Sequence, residues 1–114
     1  MKAKFKISQL AAQDTVQKEL VHPKHGDTGI MVTIAGPLHP EWKEALKMYE
    51  ETSGVEGDER ASKLFAAAVL GWDEEAMEVP YSKEAALELF KNEKQAWFIQ
   101  NVVDTVQDHT KFFL

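Results

Sequence analysis

Residues 69–82 read VLGWDEEAMEVPYS: an apolar run halts at a glycine and a tryptophan, passes through four acids and restarts at Pro-Tyr-Ser. The reading of this stretch decides whether the middle of the chain carries a reactive acidic site or only the joint between two helices. Just before it, in ERASKLFAAAVLG (59–71), Ala61, Leu64, Phe65, Ala68 and Trp72 recur at helical spacing, and Ala66, Ala67 and Val69 widen the apolar arc. Asp58 is the expected N-cap, and Gly71 stands where a left-handed residue commonly closes a helix. The spacing therefore predicts a central helix ending at Gly71. Trp72 then folds back as an apolar plug, and Asp73, Glu74, Glu75 and Glu78 form a solvated connector. A general acid and base would need one carboxyl in an apolar pocket and another left ionised. Nothing in the stretch separates the surroundings of its acids, and charged residues are mostly exposed unless paired. Ser82 restarts the chain as the N-cap of SKEAALELFKN, with Glu84 at the positive end of the helix dipole and Asn92 as a stop.

Upstream the period changes. Ile30, Val32 and Ile34 in IMVTIA fall on one face at period two, as do Val16, Lys18 and Leu20. Between them HPKHGDTG supplies Pro23, Gly26, Asp27 and Gly29, the residue types of a chain reversal. A β-hairpin over 16–36 follows, ended by Pro37, which has no amide proton for a ladder. In LHPEWKEALKMYEE, Pro40 suits the first helical position, and Trp42, Leu46 and Tyr49 form an apolar stripe with Ala45 beside it. TSGVEGD breaks that helix. Downstream, EKQAWFIQNVVDTVQDHTKFF predicts a helix of about 18 residues, roughly 27 Å long. Its apolar face runs through Trp97 or Phe98, Val102, Val106, His109 and Phe113, with Ile99 and Val103 alongside. The first fifteen residues, with Phe5, Ile7 and Leu10 and with Ser8 as an N-cap candidate, read as a partly ordered lead-in. The expected fold is α+β and mostly helical: one domain over 1–114, with the N-terminal β-hairpin at 16–36 followed by about four α-helices over 39–113.

Composition narrows the function classes. A chain of 114 residues with 44% hydrophobic and 28% charged content has the balance of one folded domain. Thirteen basic against nineteen acidic residues give a net charge of −6, which repels phosphate backbones. Nucleic acid is not an expected partner. The chain has no cysteine, which removes disulfides and thiolate chemistry. No apolar run reaches signal-peptide or membrane-spanning length, so a soluble cytoplasmic protein is expected.

Four residues resemble a metal cluster: His22, His25, Asp27 and His39. Their spacing matches no standard ligand framework, and turns select such residues anyway. Ser53, Ser62 and Ser82 lie in no nucleophile elbow and read as turn, helix surface and N-cap. His109 reads as a surface or core-rim residue. The expectation is no enzyme, no cofactor and no metal. Three Trp, six Phe and two Tyr remain. Most belong to a core, and those left outside would be anchors for a partner. The partner-binding candidates are Trp42, Tyr49, Trp97, Phe98, Phe112 and Phe113.

The order of these features resembles the tail assembly chaperones of long-tailed (siphovirus-type) bacteriophages. The resemblance runs from about Phe5 to Phe113, through TIAGP, HPEWKEALKM, AAAVLGW, PYSKEAALELF and WFIQNVVDTVQDHTKFF. Its most specific residues are Gly71-Trp72, Pro80-Tyr81-Ser82, Ala86, Leu89-Phe90, Trp97, Val103 and Phe112. It departs at ETSGVEGDE, a link often longer and more basic in that family. The resemblance implies a non-enzymatic, cofactor-free protein of the infected host's cytoplasm, absent from the mature virion and self-associating. Such a protein binds the tape-measure protein, a very long helical and partly apolar chain, and keeps it soluble until tail-tube subunits polymerise around it. It also implies a longer frameshifted form that contacts the tail-tube protein, with Phe112-Phe113-Leu114 as a stretch a uridine run can encode. Two other readings stand beside it: a structural tail completion or adaptor protein retained in the virion, and a small metal-dependent hydrolase using His22, His25 and His39.

Overall fold

The period-two segments form the hairpin. The structure, a computed structural model, describes residues 2–52 and 57–113. Strands β1 (Thr15–His22) and β2 (Gly26–Ala35) pair antiparallel and turn Leu20, Val32 and Ile34 fully into the core. Pro23, Lys24 and His25 join them, and Gly26 enters β2 at a left-handed φ of 72° that a side chain would resist. His22 steadies the reversal: its Nδ1 accepts from the amides of Lys24 (3.1 Å) and His25 (3.3 Å). The register then shifts between Glu19, opposite Met31, and Val21, opposite Asp27, so β2 carries a bulge. Gly29 (φ 75°) accommodates it, and Thr28 Oγ1 donates to the Leu20 carbonyl at 2.7 Å.

The central helix ends earlier than its spacing predicts. α1 spans Pro40–Glu51, and α2 spans Gly57–Ala67 and stops there; Val69–Trp72 is a third strand, β3, on the far side of β2. Gly71 therefore lies in a strand opposite Thr33 and not in the left-handed position of a helix end. The reason is non-local. β2 presents an edge of free amides and carbonyls, and Val69 and Trp72 are residue types that suit a strand, so pairing satisfies backbone groups that a longer helix would leave open. The Ala35 amide already donates to the Ala68 carbonyl at 2.8 Å, where the chain turns from helix to strand. Trp72, expected to fold back as a plug after a helix, is the last residue of β3. The cap expected at Asp58 concerns a side chain outside those described.

α1 begins as expected with Pro40 at its first turn, and His39 caps it, Nδ1 accepting from the Glu41 amide at 3.1 Å. Its inward line is Trp42, Ala45 and Tyr49, all half-buried, while Leu46 stays 36% exposed. The acidic connector is exposed, as expected, yet it is folded. Asp73 caps a single helical turn, α3 (Glu74–Met77), by accepting from the amides of Glu75 (3.1 Å) and Ala76 (3.3 Å). That turn makes five α-helices among the described residues where about four were expected. α4 (Lys83–Lys91) starts at Ser82, whose Oγ accepts from the Ala85 amide at 3.0 Å, and it stops at Asn92.

Tyr81 ties this connector to the sheet by donating its hydroxyl to the Val69 carbonyl at 2.6 Å. Burial, and then the nearby Glu41 charge, raise the Tyr81 pKa above 10.0. The folded protein thus holds this proton after the unfolded chain has lost it. The contribution to stability is complete below pH 10 and disappears as pH climbs through the folded-state pKa. Tyr81→Phe is expected to cost about 1 kcal/mol at neutral pH and to flatten the alkaline fall in stability, read from urea melts across that range.

α5 (Ala96–Gln107) has 12 residues, fewer than the long helix predicted. Asp108 ends it: its Oδ1 accepts from the Thr110 amide (3.2 Å) and hydroxyl (2.5 Å) and starts a 3-10 turn over His109–Phe112. The Thr110 hydroxyl bond holds the Asp108 carboxyl below its ordinary range. The break rotates the last residues, so Phe112 is buried while His109 and Phe113 are exposed. α5 covers the sheet with Phe98, Val102, Thr105 and Val106. Its Asn101 amide exchanges two hydrogen bonds with Val21 (2.9 and 3.0 Å), occupying part of the β1 edge.

The lead-in forms a 3-10 turn at Ile7–Leu10 with Ser8 inside it rather than capping it. Described residues from Lys2 to Ala11 are all exposed. The radius of gyration, 15.7 Å, exceeds the value of about 13 Å expected for a compact chain of this length.

Candidate functional site

α1 and α2 do not close fully on each other. Small residues, Ala45 on α1 and Ala67 on α2, keep their contact shallow and leave a cleft of about 240 Å³ with Met48, Tyr49 and Leu64 in its wall. Arg60 crosses one end, its guanidinium 4.2 Å from the centre of the Tyr49 ring and donating to the Tyr49 carbonyl. Arg60 Nε is buried with no hydrogen-bond partner among the described residues. At the rim Lys63 pairs with Glu59 at 3.3 Å. A second hollow, lined by Pro40, Glu41, Glu44 and Lys83, shares Ala45, Met48 and Ala67 with the cleft. Lys83 there pairs with Glu41 at 3.2 Å. Met48, 57% exposed, is the ridge between the two hollows. Lys63 and Lys83 are ion-paired at the rim, while Glu44 lines the second hollow with no ion pair among the described residues.

The six aromatic residues expected to meet a partner separate in the fold. Tyr49 lines the cleft, and Trp42, one side of the same helix further in, packs on Phe65 with ring centres 5.9 Å apart. Trp97 is on α5 and does not line the cleft; it is half-buried, its Nε1 donating to Gln95 Oε1 at 2.7 Å and its ring meeting His22 with centres 5.0 Å apart. Phe98 and Phe112, each 1% exposed, belong to the core and present no surface to a partner. Phe98 meets Phe90 edge-on at 5.9 Å. Phe113 is 52% exposed at the end of the chain. Met48 and Arg60 escaped the sequence reading. Met48 sits off the Trp42–Leu46–Tyr49 stripe, and the role of Arg60 exists only once α2 lies against Tyr49.

The histidines are occupied locally. His22 stacks on His25 at 4.9 Å and gives Nδ1 to the turn, while His39 gives Nδ1 to the first turn of α1. Among the described residues no three His, Asp or Glu side chains are grouped to hold a metal ion. Ser82 serves as a cap, and Ser53 lies outside the described residues. Among the described residues no helix is long and apolar enough to cross a membrane. No known family model, curated protein or solved structure matches the chain.

Proposed function

We propose that the chain is a tail assembly chaperone of a long-tailed bacteriophage, a non-enzymatic protein that binds the tape-measure protein and keeps it soluble during tail assembly. The observation that carries this reading is the open α1–α2 cleft with Met48 on its ridge. A long helical client offers a repeating apolar stripe, and a cleft walled by Tyr49, Leu64 and two alanines beside the flexible Met48 thioether accepts apolar side chains from such a stripe without demanding one sequence. The ordered resemblance from Phe5 to Phe113 supplies the identity of the client. On this reading the protein acts in the cytoplasm of the infected host, leaves before the virion matures, self-associates, and in a frameshifted longer form meets the tail-tube protein.

Co-expression with the adjacent long helical phage protein tests the proposal. The soluble fraction of that client is expected to rise, and no gain would remove the reading. Mass spectrometry of purified particles separates it from a structural tail component, because a chaperone is expected to be missing from them.

A further inference from the structure

The lead-in to β1 has a pattern that neither the core nor the α1–α2 cleft uses. From Lys2 to Gln13 the chain holds three lysines and no acid, in a protein whose net charge is −6. Lys2, Lys4 and Lys6 alternate in sequence with Ala3, Phe5 and Ile7, and the chain bends at Lys4 and Phe5 before it enters the 3-10 turn. Lys6 is extended (φ −88°, ψ 150°), and the 3-10 turn after it brings Leu10 over Ile7, since residues three apart eclipse in that helix. Phe5, Ile7 and Leu10, 59%, 87% and 50% exposed, are thus uncovered apolar side chains in a segment whose charged side chains are all lysines. Isolated exposed apolar residues are ordinary, but a contiguous patterned set marks a contact surface.

A surface of complementary character lies on α3 and α4. Met77, Val79, Ala85 and Leu89 line an open groove of about 570 Å³, with Glu88, Lys91 and Asn92 at its edge. From Asp73 to Asn92 there are six acids and two lysines, and Lys83, one of the two, is paired with Glu41. All six acids are exposed. The Trp72 indole fixes the groove's shape by donating to the Val79 carbonyl at 3.0 Å. The base of the arm is held elsewhere, where the Gln13 amide donates to the Phe112 carbonyl and the Gly36 amide to that of Asp14. From there back to Lys2 every residue but Ala12 is exposed among those described.

We propose that the arm of one copy seats Phe5, Ile7 and Leu10 in the Met77–Val79–Leu89 groove of a second copy, its lysines facing the acids of α3 and α4. A reciprocal pair of such contacts closes a two-fold dimer with both arms and both grooves covered. The inference needs only a second copy of this chain and is independent of which client the α1–α2 cleft takes.

Because the chain has no cysteine, Lys4→Cys gives one attachment point for a nitroxide. Mixed with isotope-labelled protein that carries no nitroxide, it is expected to broaden the resonances of Met77, Val79 and Leu89 in the other copy. Sedimentation over a concentration series is expected to show a dimer that weakens with added salt. Replacing Phe5, Ile7 and Leu10 together by serine is expected to weaken it about tenfold or more. Circular dichroism should not change, nor should Tm measured at concentrations where both proteins are monomeric, because these side chains lie outside the core. Glu75→Lys with Glu88→Lys is expected to weaken it as well. Mixing that variant with the Lys2→Glu, Lys4→Glu, Lys6→Glu variant should restore association. A monomer at every concentration, a dimer indifferent to the arm substitutions, no broadening of the isotope-labelled copy, or broadening centred on the α1–α2 cleft would each overturn the proposal.

Discussion

Phe112→Ala is expected to lower the unfolding free energy by about 3–5 kcal/mol, a large share of the roughly 5–15 kcal/mol that holds a domain together. Phe112 is 1% exposed and fastens the end of the chain to its beginning. Its carbonyl accepts from the Gln13 amide at 2.6 Å, and its ring lies so close to Gly36 that a Cβ built there would stand 2.8 Å from Cδ1 and 3.1 Å from Cε1. Removing the ring leaves a cavity between β2 and the terminal turn, which the backbone of Gly36 cannot fill. Gly36→Ala alone forces the ring to move and is expected to cost about 1–3 kcal/mol. Combined, the two substitutions should cost less than their separate losses together, because the new methyl enters space the ring has vacated. Phe113→Ala serves as the control: with that side chain 52% exposed, the change should stay within about 0.5 kcal/mol. Urea unfolding measures all four proteins, and similar losses for Phe112→Ala and Phe113→Ala would refute the packing described.

On the function proposed above, Met48→Glu is expected to abolish client solubilisation while leaving the fold intact. Glutamate and methionine have nearly equal helix propensity, and at a site 57% exposed the new carboxylate remains hydrated in the free protein. Once an apolar client covers the ridge, that carboxylate loses its water and gains no dedicated partner. Glu41 and Glu44 already line the neighbouring hollow. A penalty of about 3 kcal/mol corresponds to an affinity loss of about a hundredfold. Lys47→Ala, on the adjacent exposed position of the same helix, is expected to leave binding unchanged. The readout is the soluble fraction of the tape-measure protein on co-expression, alongside the Tm of the isolated variant. Full solubilisation by Met48→Glu would exclude the ridge as the binding surface.

Local chemistry made much of the architecture legible. The hairpin followed from alternating Val16, Lys18 and Leu20 against Ile30, Val32 and Ile34, and its turn from Pro23 and Gly26. Pro40, Ser82 and Asn92 marked helix ends because a ring without an amide proton, a capping hydroxyl and a helix-stopping amide act within a turn of their own position. β3 was not legible, since Val69–Trp72 continues a helical spacing and is drawn into a strand only by an edge more than thirty residues earlier in the chain. The length of α5 was misread for a different reason. Apolar spacing continues past Gln107, while a single carboxylate at Asp108 redirects the backbone.

The candidate site divides in the same way. The sequence by itself determined a mixed α+β chain, its hairpin, the starts of α1 and α4 and an acidic, cysteine-free composition, all of which depend on interactions within a few residues. Only the tertiary structure decided that Phe98 and Phe112 are spent on the core, that Met48 stands between two hollows, and that Arg60 covers Tyr49. Exposure belongs to the arrangement of neighbours, and an apolar residue reads the same in sequence whether another element covers it or not.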